Sequence, residues 1–147
     1  VKLKDQKFYM EVAKLAAGQS SAVRLKVGAV ACDSNGDMIA FAYNGTVRGM
    51  DNCCEDEIHN EDGGSYLVTK PDTIHAEPNL IAHCARRGIS LKGGTVFITH
   101  SPCMPCAALM IQAGVSEVYF DDIHPRSYED TKKKYSGMFT KFVHFKD

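Results

Sequence analysis

Several things are scarce in this 147-residue chain, and each scarcity removes a class of function. No apolar run approaches the ~20 residues that a membrane-spanning helix requires, so no membrane association is expected. The opening stretch VKLKDQKFYM has no uninterrupted apolar core of the secretion-signal kind, which leads us to expect a cytoplasmic protein. An excess of one charge is also missing. Lys and Arg number 17 against 18 Asp and Glu, leaving a net charge of −1 and no overall field to attract a nucleic acid polymer or a membrane surface. There are no internal repeats and no linker-like composition, so residues 1–147 are expected to form a single domain. The six cysteines (Cys32, Cys53, Cys54, Cys84, Cys103, Cys106) are not spaced like a disulfide framework and read as reduced thiols.

What is present is an alternation of helices and strands. Phe8, Val12, Leu15 and Ala16 recur at helical spacing over 4–17, and Gly18 stops the run. Residues 27–33 and 38–44 read as strands joined by the hairpin turn Ser34–Gly36. The polar segment 45–72 has no clear periodicity, and a loop of that length is expected to be functional or disordered. A helix starts at His75 with Pro78 in its first turn, an apolar stripe of Leu80, Ile81 and Cys84, and Gly88 as its cap. Beyond it lie a strand (94–100), a helix (103–113) ended by Gly114, a strand (116–120), a charged helix (127–136) and a short strand (142–145). This order predicts an α/β fold, a mixed sheet with helices on both faces.

Two stretches carry chemistry. In THSPCMPCAALM (99–110), Cys103 and Cys106 sit three apart on the opening turn of a helix, each preceded by a proline. In HAEPNLI (75–81), His75 and Glu77 open another helix. One imidazole and two thiolates would hold zinc with a fourth position open to water, whereas a structural site normally closes that position with a fourth protein ligand. Helix N-termini favour thiolates through their unpaired N–H groups and dipole. Glu77, two residues past the histidine, stands where a general acid/base would reach that water. From the residues alone other readings stay open: a closed structural zinc site, a redox pair of thiols, or Glu77 as an ordinary first-turn acid.

The H-x-E … P-C-x-x-C pattern is the established signature of zinc nucleobase deaminases. The match extends from about Val27 to Phe120 through KVGAV, AYNG, DNCC, HAEPNLI and SPCMPCAALMIQAGVSEVYF. Over that stretch the chain resembles the zinc-dependent deoxycytidylate (dCMP) deaminases of phage or bacterial type, within the cytidine deaminase-like superfamily. The resemblance implies a three-layer fold with a mixed five-stranded sheet, and location in the host cytoplasm if the chain is phage-encoded. It implies hydrolytic deamination of dCMP to dUMP and ammonia, supplying dUMP for dTMP synthesis, with a zinc ion on His75, Cys103 and Cys106 and Glu77 moving protons. The Ala76 N–H would meet the pyrimidine O2, the Ser101 carbonyl the exocyclic amine, and Asn44 the sugar 3′-hydroxyl. Without the resemblance, Asn44-Gly45 would read as a plain turn. Pro78, Leu80 and His100 depart from the usual family residues and bear on pocket shape. For the 5′-phosphate, the candidates are Arg24 and Lys26 before the first strand and His124, Arg126 and Tyr128 after the EVYF strand, where ligands of α/β sheets collect. Arg24, Arg126 and Tyr128 are the favoured three.

The resemblance also implies a homo-oligomer, a hexamer, activated by dCTP and inhibited by dTTP, each carried with magnesium. Gly45, Arg48, Asp51, Asn52 and Glu55 are the candidate residues, at a site away from Glu77. Cys53, Cys54 and His59 are candidates for a second, structural zinc. Cys32 and Cys84 read as small buried apolar residues and His83 as inert. The competing functions are a deaminase of another free base or nucleoside, a tRNA adenosine deaminase, and a zinc- and nucleotide-binding module without catalysis.

Overall fold

A computed structural model describes residues 1–146. A helix α1 (Leu3–Ala17) precedes an antiparallel hairpin of β1 (Gly28–Cys32) and β2 (Met38–Tyr43), followed by a second hairpin of β3 (Glu55–His59) and β4 (Ser65–Thr69). The chain continues through α2 (Ala76–Arg86), β5 (Thr95–His100), α3 (Met104–Gln112), β6 (Glu117–Asp122), α4 (Tyr128–Tyr135) and β7 (Lys141–His144). Five strands form one sheet in the order β2-β1-β5-β6-β7. β1 runs antiparallel to β2 and β5, and β5, β6 and β7 run parallel. This is the mixed α/β sheet expected, and among the described residues no helix is long and apolar enough to cross a membrane.

The period-2 alternation of the central strands divides the core into two layers. Ala29, Ala31, Val96, Ile98, Val118 and Phe120 face α2 and α3, meeting Leu80, Cys84 and Met110. Val30, Cys32, Phe97 and Tyr119 face the other way and meet Met10 and Ala13 of α1. Because β1, β5 and β6 are covered on both faces, they read as near-continuous apolar runs.

Helix α1 differs from the stripe expected of it. Phe8 and Leu15 are exposed, and the buried face is Met10, Ala13, Ala16 and Ala17. Small residues won because the helix lies so close to β1 that a Cβ on Gly28 would collide with the Ala13 carbonyl oxygen. Helix α2 ends as expected: Gly88 has φ +69°, and the Ile89 N–H reaches back to the Cys84 carbonyl at 2.8 Å.

Of the two outcomes expected for the segment 45–72, disorder is the one the structure overturns. The segment is neither an unstructured loop nor disordered, but contains the β3–β4 hairpin, paired from Glu55↔Thr69 to His59↔Ser65. Nine of the ten hairpin residues are exposed. With neither face buried, there was no apolar alternation to read. The segment's ends are held together by a Gly45–Ile74 bridge, with N–H···O distances of 3.0 and 2.7 Å.

Candidate active site

Three side chains converge where the N-termini of α2 and α3 meet the carboxyl ends of β5 and β6. His75 and Cys103 are the N-cap residues of α2 and α3, and neither side chain caps its helix. The imidazole and thiol therefore point away from their own backbones. The His75 Nδ1 lies 3.5 Å from Cys103 Sγ and 3.3 Å from Cys106 Sγ. A tetrahedral zinc with Zn–N of ~2.0–2.1 Å and Zn–S of ~2.3 Å sets its N···S edges at about 3.6 Å, so the donor set fits zinc without rearrangement. Among the described residues, only these three bring a cluster of metal-ligating His, Cys or carboxylate atoms within 4.8 Å of one another.

The electrostatics favour ionised sulfur at this point. Cys103 is pulled down to about 4 by its hydrogen bonds from Cys106 and His75. Cys106 is pushed up by that same bond and by burial, since it holds the proton its neighbour has lost. The bond to Cys103 also raises the pKa of His75.

Glu77 is 4% exposed, whereas an ordinary first-turn acid faces water. Burial raises its pKa to about 7, so near neutrality it can both accept and release a proton.

These groups open into a cavity of about 700 Å³. Asn44, Ala76, Ser101, Arg24 and Arg126 all line it, bringing five of the six expected substrate contacts together around Glu77. Asn44 is held rigidly: its Oδ1 accepts the Val27 N–H at 2.9 Å and its Nδ2 donates to the Leu25 carbonyl at 2.8 Å. Ser101 is fixed through its Oγ, which accepts the His124 N–H, and through its own N–H, which donates to Asp122, both at 2.7 Å.

Tyr128, the sixth, does not line this cavity. As the first residue of α4 it packs edge-on against Phe120, with ring centroids 5.5 Å apart. Lys26 is not in the wall either, since its Nζ donates to the Ser20 carbonyl. His100, expected to bear on pocket shape, belongs to the wall, as do Asp122 and Thr69, which were not expected there. The position of Asp122 at the carboxyl end of β6 was the available signal for one of them.

The candidates from the long segment divide among three places. Gly45, Arg48 and Asn52 line a second cavity of about 710 Å³, together with Asn79, His83 and Arg86. Asp51 is outside its wall, its Oδ1 accepting the Cys53 N–H at 2.7 Å. Glu55 lines the first cavity instead, because the β3 backbone turns its carboxylate toward Val23 and Arg24. Among the described residues no carboxylate lines the second cavity, so the expected acidic ligands for magnesium are not gathered there. Cys53, Cys54 and His59 do not form a metal cluster either. His59 is at the far end of β3, five residues or roughly 16 Å along an extended strand from Cys54. The thiols point to nearby carbonyls, Cys53 to Glu55 at 3.1 Å and Cys54 to Asn52 at 3.6 Å.

Comparison with known proteins places this geometry in context. Residues 3–121 match the family described as the cytidine and deoxycytidylate deaminase zinc-binding region. The chain is 34% identical over 127 residues to ComE operon protein 2 of Bacillus subtilis, covering 83% of this chain but only 63% of that protein's length. It is 28% identical to the deoxycytidylate deaminase of Enterobacteria phage T4, covering 80% of this chain and 78% of the relative. The structure of dCMP deaminase from the cyanophage S-TIM5, in complex with dCMP and dUMP, superposes with a TM-score of 0.78 at 33% identity, over 97% of this chain and 99% of that one.

Proposed function

Because this chain belongs to the cytidine and deoxycytidylate deaminase zinc-binding family, we propose that it is a zinc-dependent deaminase that converts dCMP and water to dUMP and ammonia. The observation that carries this reading is a buried Glu77 beside a zinc-fitting His–Cys–Cys set, in a cavity whose wall holds Arg24 and Arg126.

When bound by His75, Cys103 and Cys106, zinc supplies Lewis-acid activation of water near neutral pH. Glu77 takes a proton from the water and delivers it to N3 of the cytosine ring. The remaining hydroxyl forms a bond to C4, and Glu77 then moves that hydroxyl's proton to the exocyclic nitrogen. The C4–N bond breaks, ammonia leaves and C4 keeps the oxygen as a carbonyl, so one carboxyl group serves as base and acid in turn. The Ala76 N–H, unpaired at the start of α2, receives the pyrimidine O2, and the Ser101 carbonyl accepts from the amine. Asn44 orients the sugar through its 3′-hydroxyl, while Arg24 and Arg126 take the 5′-phosphate. Product dUMP would feed dTMP synthesis.

Regulation is the finer part of the proposal. The second cavity carries Arg48 and Arg86 and, among the described residues, no carboxylate, which suits a polyanion. A triphosphate there, dCTP as activator or dTTP as inhibitor, would bring its magnesium on its own phosphates. A hexamer is the proposed assembly.

Ammonia release from dCMP, deoxycytidine, free cytosine and tRNA adenosine tests the substrate reading directly. We expect dCMP to be turned over with the highest kcat/KM. Preference for the nucleoside would overturn the phosphate assignment, and zinc-loaded chain that releases no ammonia from any of them would mean a binding module.

A further inference from the structure

The base of the β3–β4 hairpin holds a buried carboxylate that the proton chemistry does not use. Glu55 is 7% exposed, and its Oε2 accepts the backbone N–H of Val23 at 2.8 Å and of Arg24 at 3.1 Å. The Arg24 guanidinium in turn donates from Nη1 to Thr69 Oγ1 at 3.2 Å. Thr69 is the direct cross-strand partner of Glu55. A single rung of the hairpin thus holds Arg24 at both ends, by its backbone and by its guanidinium. All three residues line the catalytic cavity.

Arg24 lies in the stretch between α1 and β1, which has no regular secondary structure of its own. An arginine on such a stretch would lose backbone and side-chain freedom each time it met a ligand, and that loss would weaken binding. Two N–H bonds to one carboxylate oxygen are of the stronger, charge-assisted kind and settle that loss before the ligand arrives. They also offset the charge of Glu55, which would otherwise oppose a phosphate in the same cavity.

Other ties keep the hairpin base attached. Ser21 Oγ donates to the Asn52 carbonyl at 2.6 Å, and Thr73 Oγ1 and the Lys70 N–H donate to the Cys54 carbonyl at 3.1 and 2.8 Å. Loss of the Glu55 contact therefore releases Arg24 without releasing the hairpin.

We infer that Glu55 is a positioning residue: together with Thr69 it presets Arg24 against the substrate phosphate and so sets selectivity for nucleotide over nucleoside. The inference rests on the proposed phosphate role of Arg24. The test compares kcat/KM for dCMP and for deoxycytidine in the zinc-loaded protein and in Arg24→Ala, Glu55→Gln, Thr69→Val and the Arg24→Ala/Glu55→Gln double variant.

Glu55→Gln is expected to lower kcat/KM for dCMP about tenfold more than for deoxycytidine, through KM rather than kcat. Thr69→Val should shift the ratio in the same direction by less, and the double variant should lose no more selectivity than Arg24→Ala alone. Equal losses for both substrates in Glu55→Gln would mean a merely structural carboxylate and overturn the inference while the role of Arg24 stood. If Arg24→Ala itself leaves the ratio unchanged, the phosphate assignment fails and the inference falls with it.

Discussion

The two cavities enclose about 700 and about 710 Å³, so size does not separate them. Their walls do. The first is built where two helix N-termini meet the carboxyl ends of parallel strands, and its reactive groups are anchored in those elements. Glu77 and Ser101 are both buried there, and burial is what moves the carboxyl pKa toward neutrality. The second is walled largely by the stretch from Gly45 to Asn52 and by the exposed face of α2, and its charges are cations facing water. A cavity of given volume thus becomes a site for chemistry or only for binding according to how far its groups are withdrawn from solvent.

The sharpest way to break this contrast is to remove chemistry from the first cavity while leaving its shape. Glu77→Gln should retain zinc yet lose deamination by ~10²–10⁴-fold, since only proton movement is removed. Cys103→Ala, Cys106→Ala and His75→Ala should each lose zinc and activity together, whereas Cys32→Ala, on the α1 side of the sheet, should keep its metal. Metal analysis beside steady-state rates checks both. Near-normal turnover in Glu77→Gln would remove Glu77 from its assigned role.

The second test concerns the withdrawal from solvent itself. The folded pKa of Glu77, about 7, lies above its unfolded value of ~4.3, so folding favours the protonated form. Its stabilising influence is present below the unfolded value and is lost as pH rises through about 7. For chain stripped of metal with a chelator, Glu77→Gln should therefore gain stability relative to the parent as pH rises from 5 to 8. The gain should approach ~3 kcal/mol, measured by urea unfolding at each pH. A pH-independent difference would mean that the carboxyl group is better solvated than its burial indicates.

The smallest expected effect belongs to the second cavity. With dTTP and magnesium, half-maximal rate should require severalfold more dCMP, and with dCTP less, because each effector can shift the equilibrium only by its differential affinity. Arg48→Ala or Arg86→Ala should shrink both shifts. Identical hyperbolic curves in all conditions would make this cavity inert.

How much of this was legible in the chain depends on how local the cause is. His75 and Glu77 are two residues apart, and Cys103 and Cys106 three, on the opening turns of helices. The placement within each pair follows from local geometry, so each half of the set could be singled out as a candidate, whereas the meeting of His75 with Cys103 and Cys106, 28 and 31 residues away, needed the fold. The central strands were legible for a similar reason, because burial on both faces leaves an unbroken apolar run such as TVFIT.

The hairpin 55–69 was not legible, since strands exposed on both faces leave no alternation in the sequence. The buried face of α1 was misjudged because close approach to Gly28 selects alanine over larger apolar side chains. Glu55 and Tyr128 show the limit most plainly. Each had the right chemistry for the site first given to it, yet which cavity a side chain enters depends on the strand or helix that turns it, and on what lies across the gap. Residue identity and local spacing determined the reacting groups. Only tertiary packing decided that Glu55 would tie down Arg24 and that the Tyr128 ring would meet Phe120, because those partners lie 31 and 8 residues away and meet only once the sheet has formed.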